Sequence, residues 1–117
     1  MDVILHIARR ETWERAQSSG TYSPDSLKSQ GFIHCSGVEQ VIPVANAIYR
    51  ARRDLVLLAI DRSRVEAEIR DENLEGGDEL FPHVSGPLNV TAVVSVLEFE
   101  PRADGTFRLP ESPLLGT

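Results

Sequence analysis

The sequence predicts a single α+β domain, on three observations. Helical spacing and helix-capping residues concentrate before residue 50, and apolar strand-like runs dominate after it. The two patterns do not alternate as they would in a doubly wound α/β protein. A chain of 117 residues is large enough for one core but not for two. We therefore expect one domain over residues 1–109 and a flexible C-terminal tail, "PESPLLGT", over residues 110–117.

The first predicted elements are a strand, a helix, a short helical turn and a second strand. In "DVILHIA" one face is wholly apolar, with Val3, Leu5 and Ile7, and His6 lies on the other face. "RETWERAQSS" has helical spacing and ends before Gly20, a typical helix stop. "SPDSLKSQG" carries matching start and stop signals for a helical turn, and "FIHCS" is predicted to be a short strand.

The next helix carries the clearest start signal in the chain. Ser36 and Glu39 have the spacing of a capping box, so we expect the helix to begin at Ser36. Apolar residues continue at helical spacing as far as Tyr49. Pro43 lies inside this pattern and is expected to kink or shorten the helix.

The second half of the chain is predicted to be mainly strands. "DLVLLAID" is a nearly continuous apolar run, typical of a central strand buried on both faces. We expect an edge strand at "EAEIRDE", a Gly-rich loop at "NLEGGDE", a last long strand at "AVVSVLEFE" and a short addition at "GTFRL". In "LFPHV", Pro82 lacks an N–H group, which argues against a central position in a sheet.

Composition and charge exclude several classes of function. A net charge of -6 argues against general nucleic-acid binding, because binding to phosphates needs a basic surface. We expect no membrane span, no signal peptide and no internal disulfide, and hence a cytoplasmic location. Arg50, Arg52 and Arg53 could bind phosphate or carboxylate, although a solvated helix end is the simpler interpretation of this cluster.

The three histidines all lie in apolar extended segments and are the candidate chemical groups. His34 and Cys35 are neighbours in a strand and point to opposite faces, so His34 cannot activate Cys35, which we interpret as a packing residue. His6, His34 and His83 could converge on a metal ion, but no motif with close-spaced ligands supports one, and we expect none.

A cleft for a small ligand is the third interpretation of the same residues. If "ELFPHVS" is extended, Glu79, Phe81 and His83 share one side, and Ser36 shares a face with His34. A carboxylate, a hydroxyl and imidazoles near strand ends are what acid–base or oxocarbenium chemistry requires. The alternative is that each histidine satisfies only its own hydrogen bond in the core.

The motifs "LHIA", "YSPDSLKSQGFIHCS", "DLVLLAID" and "ELFPHVSGPL" together resemble the DUF952 family of small uncharacterised bacterial proteins, from about Val3 to Phe99. The resemblance implies an ADP-ribosyltransferase-like α+β fold, with two small antiparallel sheets at an angle around a cleft. Proteins of this fold bind NAD without a Rossmann motif. In the diphtheria-toxin-like branch, a first-strand histidine holds a ribose, and a later glutamate stabilises the oxocarbenium ion as nicotinamide leaves.

The resemblance implies a set of site residues and a class of ligand. The predicted catalytic residues are His6, His34, Glu79 and His83, with Asp78 as an alternative to Glu79, and the predicted ligand contacts are Tyr22, Ser36 and Phe81. The expected ligand is NAD or a related nucleotide, as substrate. A non-catalytic ligand-binding or regulatory module stays open, as does the weaker hypothesis of a histidine-ligated metalloprotein.

Overall fold

The computed structural model describes residues 1–73 and 77–117 as an α+β fold. In chain order its elements are β1 (Val3–Arg9), α1 (Arg10–Ser19), β2 (Thr21–Tyr22), α2 (Ser26–Ser29), β3 (Ile33–His34), α3 (Val41–Ile48), β4 (Leu55–Asp61), β5 (Ile69–Glu72), β6 (Phe81–Val84), β7 (Leu88–Asn89) and β8 (Val93–Glu98). Short 3-10 turns span Arg62–Arg64, Val90–Ala92 and Pro113–Leu115. Within the described ranges all three α-helices precede Tyr49, as predicted.

All strand pairings in the described residues are antiparallel. One sheet has the order β1-β4-β8, a second has the order β3-β6-β5, and β2 pairs with β7 in a separate two-stranded ribbon. A bridge between Leu5 and Ser36 connects β1 of the first sheet to the chain just after β3 of the second. This bridge brings the segments around His6 and His34 next to each other.

The core lies on both faces of the β1-β4-β8 sheet. Every residue of β4 is buried, which confirms the predicted central strand. The alternation along β1 divides the core into two clusters. Ile4 and Ala8 pack with Trp13 and Tyr22 on one face, while Leu5 and Ile7 contribute to the cluster on the other. His6 lies on the same side as Ile4 and Ala8, as the sequence predicts.

Helix α1 has the bounds that the sequence predicts. Trp13 and Ala16 are its buried residues, three positions apart on one face. Gly20 has a φ of 83°, a left-handed conformation that glycine adopts without steric cost, and its N–H donates to the carbonyl of Ala16. The helix therefore ends where its sequence signals end.

The predicted helix start at Ser36 is wrong. The N–H and carbonyl of Ser36 each form a 2.8 Å hydrogen bond with the main chain of Leu5, so its carbonyl is already occupied by a strand partner. The chain then turns, with the side-chain oxygen of Gln40 accepting from the N–H of Gly37, and α3 begins at Val41. Pro43 falls in the first turn of this shorter helix, where its missing N–H has no helical partner to lose.

The prediction that Pro82 cannot occupy a central strand is also wrong. β6, which contains Pro82, lies between β3 and β5. Its carbonyl accepts a 3.1 Å hydrogen bond from Cys35, immediately after the end of β3 at His34. N–H and C=O of a strand residue point to the same side, so the proline nitrogen faces the position where the β3 ladder stops. The missing donor therefore costs one hydrogen bond, the one to the Cys35 carbonyl, at the point where the β3 pairing stops.

The remaining predictions fall on shorter segments. β5 is an edge strand, as predicted, but it covers only Ile69–Glu72. The structure has no strand over "GTFRL", although Phe107 is buried in the second core cluster. Part of the predicted Gly-rich loop, residues 74–76, lies outside the described residues. The flexibility of residues 110–117 stays a prediction; Leu115 in this segment packs against the second core cluster.

No helix in the described part of the chain is long and apolar enough to cross a membrane.

Candidate ligand-binding cleft

A cavity of about 610 Å³ lies where β1, α1, β3 and α3 approach one another. Its volume falls in the range of typical small-molecule sites, which is roughly 300–1,000 Å³. Five of the seven predicted site residues line this cavity: His6, Tyr22, His34, Ser36 and Phe81. Residues that are distant in sequence thus share one cavity, which is the geometry that a ligand-binding site requires.

His6 forms the floor of the cavity and is held at both ring nitrogens. Its Nδ1 lies 2.5 Å from the main-chain oxygen of His34, and its Nε2 lies 2.8 Å from the hydroxyl of Tyr22. Burial lowers the pKa of His6 to about 4; the hydrogen bond to the His34 main chain opposes this shift, and the charge of the His34 side chain adds to it. His6 is therefore neutral at physiological pH.

Tyr22 connects this floor to the first core cluster. Its ring lies edge-on to Trp13, with 6.2 Å between centroids, and edge-on to His6 at 5.3 Å. Burial raises the pKa of the Tyr22 phenol above its usual range. The hydroxyl thus keeps its proton, and its position is fixed by rigid neighbours on strands and a helix.

His34 and His83 lie opposite each other on β3 and β6, with ring centroids 5.5 Å apart. His83 is fully buried, stacks on Phe32 at 4.0 Å, and its Nδ1 lies 3.1 Å from a carboxylate oxygen of Glu72. His34 is exposed, and its Nε2 donates to the amide oxygen of Gln30 at 2.6 Å. His34 lines the cavity and His83 does not, so His83 lies behind the lining, where its ring packs against His34.

The predicted carboxylates lie apart from this cavity. Glu79 and Asp78 are exposed, and neither is among the lining residues. Among the described residues that line the cavity, Asp25 is the one carboxylate. The catalytic role of Glu79 stays a prediction, and the described geometry does not bring it next to His6.

The cavity is also lined by three arginines that the sequence analysis did not group together. Arg9 ends β1, Arg15 lies on α1, and Arg52 follows α3. Of the cluster at residues 50–53, only Arg52 reaches the lining. The sequence gives little indication that Arg9 and Arg15 belong to a binding site, because both resemble ordinary surface residues. The elements that carry them come together only in the fold.

Each of these arginines has an acidic partner that lies outside the lining. Arg52 makes two hydrogen bonds to Asp54, at 2.9 and 2.8 Å, and Arg9 lies 3.9 Å from the same carboxylate. Arg15 pairs with Glu11 along α1. These carboxylates orient the guanidinium groups from the outer side, while the cationic groups border the cavity.

Part of the cavity wall is apolar and comes from α3 and the residue that follows it. Val44, Ile48 and Tyr49 line it, and Ile48 is 68% exposed, a large fraction for an isoleucine. The Arg52 guanidinium lies 5.8 Å from the centroid of the Tyr49 ring. The lining therefore combines basic and hydroxyl groups with apolar and aromatic ones, and suits a ligand with both characters.

Nucleophilic and metal chemistry find less support in this geometry. Cys35 borders the cavity but is buried in the first core cluster, which agrees with its interpretation as a packing residue, and burial raises the pKa of its thiol to about 12. In the described ranges no group of three or more His, Cys, Asp or Glu side chains is arranged to hold a metal ion.

Fold and cavity define a small α+β protein with a candidate ligand-binding cleft. The chain belongs to the family described as protein of unknown function DUF952, whose model matches residues 7–96. It is similar to CC0527 from Caulobacter crescentus: a crystal structure of that protein is 33% identical, with a TM-score of 0.80 over 92% of this chain and 94% of that one. A solution NMR structure of CC0527 is 32% identical, with a TM-score of 0.79 over 91% of each chain. No curated protein matches the sequence.

Proposed function

We propose that this protein binds a phosphate-bearing nucleotide, NAD or a related molecule, in the cavity above His6 and Tyr22. The observation that carries the proposal is the mixed lining, in which arginines and hydroxyls border the same cavity as exposed apolar and aromatic groups. A nucleotide matches both characters, because its phosphates are anionic and its base is a flat apolar surface with polar edges.

The basic side suits phosphate groups. Arg9, Arg15 and Arg52 present planar guanidinium groups, which bind phosphate oxygens through paired hydrogen bonds. Ser23 and Ser26, in the loop after β2 and at the start of α2, add hydroxyl groups to the same lining. Asp54 and Glu11, which pair with these arginines, and Asp25 in the lining balance their charge, so the guanidinium groups offer phosphate hydrogen-bond donors rather than a net positive surface.

The apolar side suits a base or a nicotinamide ring. Ile48 and Tyr49 offer an exposed aliphatic group and an aromatic face, and a stacked ring would remove both from water. Burial of such surface contributes roughly 25 cal/mol per Å² of apolar area. A free phosphate ion would leave this wall uncovered, so a nucleotide fits the lining better than an inorganic anion.

The resemblance to ADP-ribosyltransferase-like proteins supports NAD among the possible nucleotides. That fold places a ribose-holding histidine on the first strand, and His6 lies on β1 at the cavity floor, where its Nε2 is bonded to the Tyr22 hydroxyl, so that the ribose would meet this pair. Such proteins use no glycine-rich dinucleotide motif, and this sequence has none. The fold assignment is part of the proposal.

Catalysis would be the cleavage of the bond between nicotinamide and ribose. The C1′–N bond breaks, nicotinamide leaves with the bonding electron pair, and water adds its oxygen to C1′ while losing one proton. Glu79 is the proposed carboxylate that stabilises the positive charge on the ribose. A non-catalytic nucleotide-binding module is the second candidate, and it is favoured by the position of Glu79 outside the lining.

Calorimetric titration with NAD tests the binding proposal. We expect binding to wild type and a loss of about tenfold or more in affinity for Arg52→Gln and Arg15→Gln, since each removes a charge-assisted hydrogen bond. Arg53→Gln is the matched control, because Arg53 belongs to the same cluster but lies outside the lining. Absence of binding at millimolar NAD, or equal losses in all three variants, would contradict the proposal.

Nicotinamide release separates the two candidates. Wild-type protein that binds NAD but releases no nicotinamide is a binding module. If nicotinamide is released, Glu79→Gln is expected to reduce the rate with little change in affinity, and Asp25→Asn tests the carboxylate that lines the cavity. Release that is unaffected by Glu79→Gln would assign the chemistry to another residue.

A further inference from the structure

The hydrogen bonds at the cavity floor have a fixed direction, because the first acceptor is a main-chain carbonyl. The His34 carbonyl cannot donate, so Nδ1 of His6 must carry the proton in that contact. A neutral imidazole has one N–H, which leaves Nε2 as an acceptor. The hydroxyl of Tyr22 therefore donates its one proton to Nε2 of His6.

This direction determines what Tyr22 presents to a ligand. After the hydroxyl has donated to His6, the Tyr22 oxygen has only lone pairs for any further partner. We propose that the Tyr22 oxygen is an acceptor at the cavity floor that selects ligands with a hydrogen-bond donor, such as a ribose hydroxyl. His6 is then a positioning residue, which sets the polarity of Tyr22 through the hydrogen bond at its Nε2.

The inference rests on the proposed function and deepens it, because it names the chemical group that must meet the floor. Tyr22 is 1% exposed, so a ligand without a donor at this point would leave the lone pairs of a buried oxygen without a second partner. The loss of such a hydrogen bond to a buried group corresponds to a fall of about ten- to hundredfold in affinity. Deoxyribose ligands are therefore expected to bind more weakly than ribose ligands.

Analogues of NAD in which each ribose hydroxyl in turn becomes hydrogen, fluorine or an amino group test this polarity by calorimetry. At one position, the hydrogen and fluorine analogues are expected to bind about ten- to hundredfold more weakly, since neither can donate. The amino analogue keeps N–H donors and is expected to retain most of the affinity. A fluorine analogue that binds as well as NAD at every position would overturn the proposal.

Tyr22→Phe removes the acceptor and is expected to abolish this discrimination, so that NAD and its deoxy analogue bind equally weakly. Tyr49→Phe is the matched control, since Tyr49 lines the same cavity on the apolar wall. We expect this control to keep the full preference for the ribose hydroxyl. Discrimination that survives in Tyr22→Phe would assign the selection to another residue.

The direction of the hydrogen bonds can also be measured without a ligand. ¹⁵N NMR of the wild-type histidines is expected to show His6 in the neutral form with its proton on Nδ1. In His6→Leu, the Tyr22 hydroxyl loses its acceptor and is free to donate. The difference in affinity between NAD and its fluorine analogue is therefore expected to become smaller. A proton on Nε2 of His6 would overturn this inference, regardless of the result with NAD. A wild-type protein that does not bind NAD would instead contradict the proposed function.

Discussion

The floor and the rim of the cavity are built in different ways. At the floor, His6 and Tyr22 are buried, hydrogen-bonded to each other and anchored to the main chain of a neighbouring strand. At the rim, Arg9, Arg15 and Arg52 are exposed and tied to surface carboxylates. The floor is preorganised, because its groups have lost their freedom in folding, whereas the rim groups keep a solvent shell.

This difference separates stability from binding. Changes at the floor alter a buried network, where an unmatched polar group costs much of its hydrogen-bond energy. Changes at the rim alter charges screened by solvent and salt, which contribute little to folding and more to attraction of an anionic ligand. We therefore expect floor variants to lower both stability and selectivity, and rim variants to lower affinity alone.

The largest expected effect is a loss of stability with acid that depends on His6. The pKa of His6 is lowered from 6.5 to about 4 by burial, so between these values the unfolded chain binds a proton that the folded chain does not. Stability from this group is full above about pH 6.5 and falls as the pH drops towards 4. The total is about 3 kcal/mol.

Urea denaturation of wild type and His6→Gln at pH 7 and pH 4.5 measures this effect. Glutamine can donate to the His34 carbonyl and accept from Tyr22, but it does not titrate in this range. Titratable groups that do not interact with His6 contribute alike to both proteins, so the difference reports on His6 together with its interaction with His34. An equal loss of unfolding free energy in the two proteins would show that His6 is not the buried neutral group described above.

A smaller effect is expected when the hydroxyl of Tyr22 is removed. Tyr22→Phe leaves Nε2 of His6 without its donor in a buried site, which costs about 1–2 kcal/mol of unfolding free energy at pH 7. Tyr49→Phe, at the half-buried mouth of the cavity, should cost less than about 0.5 kcal/mol. Denaturant midpoints of the two variants provide the comparison. Equal costs would mean that the His6–Tyr22 hydrogen bond does not stabilise the fold.

The elements that the sequence predicts well are those that depend on local signals. The bounds of α1 follow from helical spacing and the glycine stop, and β4 follows from its apolar run. Ser36 and Pro82 were misjudged because their positions depend on distant partners. The main chain of Leu5 takes the hydrogen bonds of Ser36, and β3 ends at His34, so that Pro82 interrupts the pairing only at its last position.

The floor and the rim of the candidate site also differ in how far they can be predicted from the sequence. Residues of the cavity floor can be predicted from the sequence, because a histidine in an apolar strand is unusual. His6 and His34 do line one cavity. The arginines of the rim cannot be predicted as site residues, since arginines beside acidic residues are typical of any solvated surface. The end of β1, helix α1 and the end of α3 surround one cavity only in the folded chain.

The smallest expected effect on stability is at the rim, and it sharpens the contrast with the floor. Arg15 is 73% exposed and pairs with Glu11 one helical turn away, a geometry that contributes at most about 0.5 kcal/mol. We expect Arg15→Gln to shift the denaturant midpoint hardly at all, while it weakens NAD binding by about tenfold or more, and less so at high salt. A loss of more than about 1 kcal/mol in unfolding free energy would make Arg15 part of the framework, and the separation of rim from floor would then fail.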